Sequence, residues 1–143
     1  MDEDQCGTVA RITQGLHNAS LLIDDIEDNS TLRRGQPAAH IIYGMPITIN
    51  CANHVYFLVL QELLSLNNPE ATSVYVSEMV NLHQGQGMDI HWRDTCQCPT
   101  LEQYEEMVMK KTGGLFRCLH HTVASLGNKL NATVLGLSGS RLG

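Results

Sequence analysis

Aromatic side chains are scarce: two Phe, four Tyr and one Trp serve 143 residues. No period-two alternation of apolar and polar residues runs through the chain, so a core built from sheets is excluded. Positive charge is short as well. Nine Lys and Arg face fifteen Asp and Glu, a net −6, which argues against general nucleic-acid binding, since that needs a basic footprint. No apolar run reaches the roughly 18 residues of a membrane span. The opening MDEDQCGTVAR is acidic and polar, unlike a secretory leader. Five cysteines is an odd number, so reduced thiols and a cytoplasmic setting are expected. Repeats and low-complexity tracts are absent too.

What is present is aliphatic. Apolar residues make up 43% of the chain, enough for the core of one domain at this length. The pattern reads as all-α. Val9, Ile12, Leu16, Ala19, Ile23 and Ile26 recur at steps of three and four, one stripe of a helix over about Thr8–Asn29. NSTLRRGQP follows as a linker. A short helix is expected around Ala38–Tyr43, broken by Gly44 and Pro46. The apolar stretch from Ile47 to Leu66 reads as a buried helix. Another helix starts after Pro69 and runs to about Trp92. After the loop RDTCQCP, Thr100 and Gln103 form a capping box. The helix they open is expected to reach about Leu126, with Gly113 and Gly114 inside it. GLSGSRLG reads as a loose tail.

Three constellations carry chemistry. At about 100° per residue, His17, Leu21, Asp24 and Asp28 share one helix face beside the apolar stripe. Carboxylates this close repel unless a cation joins them. Oxygen ligands one turn apart suit Mg²⁺, whose shell is usually completed by water and substrate phosphates. A solvated acidic helix end is the plainer reading, and no glycine sits where a calcium-binding loop needs one. Arg33 and Arg34 follow, with planar donors that fit phosphate oxygens; alone they would be ordinary surface residues. In HQGQGMDIHWRD, Gln86, Asp89 and Arg93 share a face. Gly85 and Gly87 each cost about 1 kcal/mol in a helix interior, so something must approach closely there, a ligand or another helix. In KKTGGLF, Lys111 and Thr112 precede two glycines. A kink could turn backbone carbonyls and the Thr112 hydroxyl toward a cavity, although an exposed lysine near a kink explains the same residues.

Weaker patterns add little. Cys96 and Cys98 with His91, His120 and His121 fit no strong zinc spacing. Asn-x-Ser/Thr triplets at Asn18, Asn29 and Asn131 are read as chance.

Taken in order, LHNASLLIDDIEDNS, LRRG, INCANHVYF, LHQGQGMDIHWRD and KTGGLF closely resemble the geranylgeranyl diphosphate synthases of the trans-isoprenyl diphosphate synthase family, from about Gly15 to Arg117. The resemblance implies a fragment of the isoprenoid synthase helical bundle. It implies that Asp24 and Asp28 bind the Mg²⁺ that holds an allylic diphosphate, that Asp25 supports them, and that Asp89 reaches the metal cluster with Gln86 nearby. Arg33 and Lys111 would contact the allylic diphosphate; Arg34 and His17 would serve isopentenyl diphosphate. Thr112 and the kinked backbone would stabilise the allylic cation. The small Ala19 and Ser20 would leave room for a long chain, and Tyr56, Phe57 and His83 would floor the tunnel. The implied reaction ionises the allylic diphosphate, joins the cation to the double bond of isopentenyl diphosphate and loses a proton.

The same resemblance implies a basic motif ahead of the first helix and a second aspartate-rich motif beyond KTGGLF. Neither is in this sequence, and after Arg117 the likeness fades. The expectation is one partial domain over 1–143 with a divergent tail over 118–143, and little or no catalysis by this chain alone. A class I terpene cyclase fragment shares the acidic motif, but LRRG, GQGMD and KTGG favour the synthase. A non-catalytic partner of a full-length synthase is the other alternative, because the segment from Ile47 to Leu66 matches the region where family dimers pack. A homo-oligomer or a synthase partner is therefore expected.

Overall fold

The computed structural model describes residues 3–114 and 117. Five helices and one short hairpin follow in chain order: α1 (Glu3–Glu27), β1 (Leu32–Arg33), β2 (Gln36–Pro37), α2 (Ala39–Tyr43), α3 (Met45–Ser65), α4 (Pro69–Thr95) and α5 (Leu101–Lys111). The all-α expectation holds. No described helix is long and apolar enough to cross a membrane.

The stripe on α1 faces α3. Val9, Ile12, Leu16 and Ala19 are buried, and Ala52, Tyr56, Val59 and Leu63 meet them from α3. Gly15 lets the two helices close up, since a Cβ there would sit 3.0 Å from Val59 Cγ2. On the surface, Arg11 donates to Glu62 at 2.9 Å, which fixes α1 and α3 as antiparallel. Ala71 and Tyr75 extend this core onto α4. The Tyr75 hydroxyl donates to the Tyr56 carbonyl at 2.7 Å and ties α4 to α3. α5 packs chiefly on α4.

Helix ends follow local chemistry. Asn68 caps α4 through Ala71 N, with Pro69 in its first turn. Thr100 and Gln103 make the full capping box of α5. Cys96 closes α4 in a left-handed conformation, φ 53°.

Three expectations need correction. The linker around LRRG is a hairpin: Leu32 pairs with Pro37 and Arg33 with Gln36. Arg34 and Gly35 both have positive φ, 53° and 78°, as a two-residue type I′ connection requires. Next, α3 is not buried all round. One face is covered, while Phe57, Leu58 and Leu64 are exposed among the described residues. Finally, the helix begun at Leu101 is interrupted at Thr112, whose N–H bonds back to the Val108 carbonyl; Gly113, Gly114 and Arg117 resume helical backbone, and the expected end near Leu126 lies outside the described residues. The expected break therefore falls at Thr112. The tail over 118–143 lies outside the described residues.

Candidate active site

α1 and α4 run in the same direction on either side of a cavity, and their acidic ends meet. Asp24 and Asp28 come from α1, Asp89 from α4, and Lys111 from the end of α5. Lys111 Nζ lies 2.7 Å from Asp89 Oδ2 and 3.4 Å from Asp24 Oδ1. Burial, the largest single influence on Lys111, works against its charge. Asp89, Asp24 and Asp28 together outweigh it, so its pKa is raised and the ammonium is held. Arg93 reaches from α4 to Asp28 at 3.0 Å and also binds Asp94. Acids and cations alternate across the α1–α4 seam.

The hairpin returns Arg33 to the same place. Its Nε donates to both carboxylate oxygens of buried Asp25, at 3.0 and 3.1 Å, and its Nη2 reaches Asp24 at 3.3 Å. The Asp25 hydrogen bond is the main reason the Arg33 pKa is raised. Asp25 is 3% exposed, so it is a support for Arg33 and not a ligand facing solvent. Arg34, at the hairpin tip, makes no ion pair with a described residue.

A cavity of about 390 Å³ opens beside this cluster. Asp24, Lys111 and Thr112 stand at its polar end, with His17 and Ser20 on the α1 wall. The rest is largely apolar: Leu16, Leu21, Tyr56, Tyr75, Met79 and Leu82. Behind Ser20 lies a smaller cavity of about 130 Å³ whose lining includes Glu27, Tyr56, His83, Gln86 and Gly87. Burial raises the Glu27 pKa, with Gln86 and His83 opposing and Asp24 and Asp28 adding. The Gln86 amide is close enough to Glu27 to act on it, yet its Nε2 is buried without a partner in hydrogen-bond geometry. Tyr56 is pushed up to about 12, first by burial and then by Glu27. His83 Nδ1–H donates to the Met79 carbonyl at 2.8 Å, and its ring meets Tyr56 edge-on at 6.1 Å.

The sequence-derived residues thus separate. Asp24, Asp28, Asp89, Arg33 and Lys111 converge. Ser20 lines both cavities, whereas Ala19 is buried in the α1–α3 core. Phe57 lies on the outer side of Tyr56, in an open groove that it shares with His83. Gly85 meets α5: a Cβ there would fall 2.6 Å from the Lys111 backbone nitrogen. Helix crossing is therefore the reason for that glycine. Gly87 has nothing within 4 Å of its would-be Cβ. Glu27, Tyr75 and Glu78 were not singled out from sequence. Each is an ordinary helix residue until α1, α3, α4 and α5 are assembled around it.

The donor set suits magnesium in one respect. Asp24, Asp28 and Asp89 offer only oxygen, and Mg²⁺ is normally held by one or two carboxylates plus substrate phosphates, not by a closed protein cage. Among the described residues no three His, Cys, Asp or Glu form a metal cage by themselves. Cys96 and Cys98 are free and exposed. His120 and His121 lie outside the described residues.

The sequence model of the polyprenyl synthetase family matches residues 1–142. A geranylgeranyl pyrophosphate synthase of Claviceps paspali is 59% identical over 115 residues, 80% of this chain and 34% of the relative. Another from Hypoxylon pulicicidum is also 59% identical, over 80% of this chain and 30% of its own length. One from Dictyostelium discoideum is 55% identical, over 80% of this chain and 38% of its own. The chain spans about a third of the length of these curated relatives. A paired-acid seam between two helices, a returning arginine and an apolar cavity behind them accompany a match along nearly the whole chain, and so this protein belongs to the polyprenyl synthetase family.

Proposed function

We propose that this chain supplies the allylic-diphosphate half of a prenyltransferase site, which condenses an allylic diphosphate with isopentenyl diphosphate, ending near geranylgeranyl diphosphate. The observation that carries this reading is the junction of Asp24, Asp89, Lys111 and Arg33 with the mouth of the apolar cavity. An ionic head and a hydrocarbon tail both find their complement there. Named curated relatives of the same kind support the product class.

Asp24, Asp28 and Asp89 would hold magnesium, which when bound offsets charge on the leaving diphosphate oxygens. Lys111 and Arg33 lie against these acids and donate to the same diphosphate. Their fixed positive charge favours ionisation of the allylic C–O bond, because donors already in place need no reorganisation as charge develops. The Thr112 hydroxyl and the end of α5 face the cavity and can stabilise the cation. The apolar walls exclude water from it. His17, on the cavity wall, and Arg34, at the hairpin tip, would serve isopentenyl diphosphate.

The test is magnesium-dependent binding of farnesyl thiolodiphosphate, an unreactive analogue, followed by calorimetry. Asp24→Asn should weaken it by at least about tenfold, roughly 1.4 kcal/mol. Equal binding with and without magnesium, unaffected by the substitution, would rule the reading out. A second reading rests on the exposed Phe57, Leu58 and Leu64 of α3: the chain would act as a partner docked on a full-length synthase. Co-purification with such a synthase, in the absence of magnesium-dependent binding by the chain itself, would favour it.

A further inference from the structure

The cavity of about 390 Å³ has a second polar element, far from the aspartates. Glu78 lines it from α4, eleven residues before Asp89, or roughly 16 Å along the helix axis at 1.5 Å per residue. Its side chain is only 13% exposed. Arg117 grips it with two hydrogen bonds, Nε to Oε1 at 2.9 Å and Nη2 to Oε2 at 2.8 Å. The same Nη2 donates to the Met109 carbonyl at 3.1 Å, which fixes the guanidinium against α5. Asn81 Nδ2 adds a longer contact of 3.4 Å to Glu78 Oε2.

The two glycines of KTGGLF make room for this pair. A Cβ on Gly114 would lie 2.9 Å from Glu78 Oε2, and one on Gly113 would lie 2.6 Å from Arg117 Nη1. The glycine pair therefore does more than interrupt a helix. It lets the backbone at Gly113 and Gly114 lie directly against an ion pair whose Glu78 lines the cavity.

We propose that the Glu78–Arg117 pair, seated on Gly113 and Gly114, is the end wall of the cavity and sets the length of hydrocarbon it accepts. This rests on the reading of the opposite end as a diphosphate site. A chain anchored at Asp24 and Lys111 runs along Leu16, Tyr75 and Met79 and then meets the Glu78 carboxylate, which Arg117 holds in place. Pushing past it would strip a satisfied ion pair of its partners and bury it against hydrocarbon, which is unfavourable. An apolar wall would yield by rotamer changes; this one resists.

The experiment compares geranyl, farnesyl and geranylgeranyl thiolodiphosphates, with magnesium, by calorimetry on the full chain and on two variants. One carries Glu78→Ala together with Arg117→Leu, so that neither charge is left unpaired. The other carries Gly114→Ala, which adds a methyl to the cavity lining 2.9 Å from Glu78 Oε2. Circular dichroism checks that each is folded. The double variant should bind the longest analogue better by about tenfold relative to the shortest, since each newly buried methylene is worth severalfold in affinity. Gly114→Ala should shift preference toward the shortest. Should the double variant fail to fold, the Gly114→Ala shift alone decides. A length profile unchanged in the folded variants overturns the wall while leaving the diphosphate site standing. No magnesium-dependent binding of any analogue by the unaltered chain overturns both together.

Discussion

Two helix–helix seams of this molecule are built on opposite terms. Between α1 and α3 the contact is aliphatic and small: Ile12, Leu16 and Ala19 against Ala52, Val59 and Leu63, with its ion pair, Arg11–Glu62, at the surface. Between α4 and α5 the buried apolar contribution from α5 is Met107, and the seam is closed by Gly85, by Lys111 on Asp89 and by Arg117 on Glu78. The first seam takes surface out of water. The second places charge at both ends of a cavity. Stability should therefore reside in the first and ligand geometry in the second.

Substituting Leu63 is the strongest test of that division. It is the largest fully buried side chain among the described residues. Leu63→Ala should cost about 2–5 kcal/mol, because the cavity left behind is only partly refilled. Urea denaturation measures it. A cost under about 1 kcal/mol, below the usual range, would mean that the α1–α3 seam is not the stabilising one.

Gly85→Ala attacks the other seam. The added methyl meets the Lys111 nitrogen at 2.6 Å and the Met107 carbonyl at 3.0 Å, both backbone, so α5 must move. Overpacking of this kind costs about 1–3 kcal/mol, partly offset by a helix-propensity gain of about 1 kcal/mol. The net stability loss is smaller than for Leu63. Binding should suffer more than folding, since Lys111 is drawn away from Asp89 and Asp24; a loss of about tenfold in affinity for farnesyl thiolodiphosphate is expected. Gly87→Ala is the control. Nothing lies near its would-be Cβ, so it should gain up to about 1 kcal/mol in stability. If Gly87→Ala loses affinity as Gly85→Ala does, helix spacing is not the cause.

The two seams also differ in how legible they are. Val9, Ile12, Leu16 and Ala19 announce their buried face by spacing alone, because helix periodicity is a property of one strand of sequence. So do the capping box at Thr100 and the pairing of Asp24 with Asp28. The hairpin at LRRG was hidden because its strands are two residues each, too short for alternation to register; Arg34-Gly35 at the turn was the available signal, since glycine next to a residue tolerating positive φ suits a two-residue loop. Glu78 could not be read at all. Its role depends on Arg117, thirty-nine residues on, and on two glycines whose empty space has meaning only beside it. Ala19 shows the reverse limit: a small residue next to an acidic motif looked like tunnel space, and the stripe it shares with Ile12 and Leu16 took it into the core.

Smaller effects sharpen the contrast. Arg11→Gln removes the exposed pair across the apolar seam. Arg11 has 61% of its side chain in solvent, so the cost should stay below about 1 kcal/mol and shrink further in high salt. A larger, salt-insensitive loss in thermal denaturation would show that charge holds this seam as well.

The smallest expected effect is also the one whose sign is most informative. Glu27 sits on α1 beside the second cavity, and burial raises its pKa above the ordinary 4.5. In the window between 4.5 and that raised value, the folded chain binds more protons than the unfolded one, so stability falls as pH rises through it. Above that window the burial of Glu27 works against folding. Glu27→Gln removes the charge and nearly keeps the shape. It should raise the melting temperature at pH 7, and the gain should vanish below pH 4.5, where the unfolded carboxyl is protonated too. A substitution that lowers the melting temperature at pH 7 would mean that attraction from His83 and the Gln86 amide outweighs desolvation. The α1–α4 contact would then be stabilised by charge, and the division of labour between the two seams would not extend to the side where α1 faces α4.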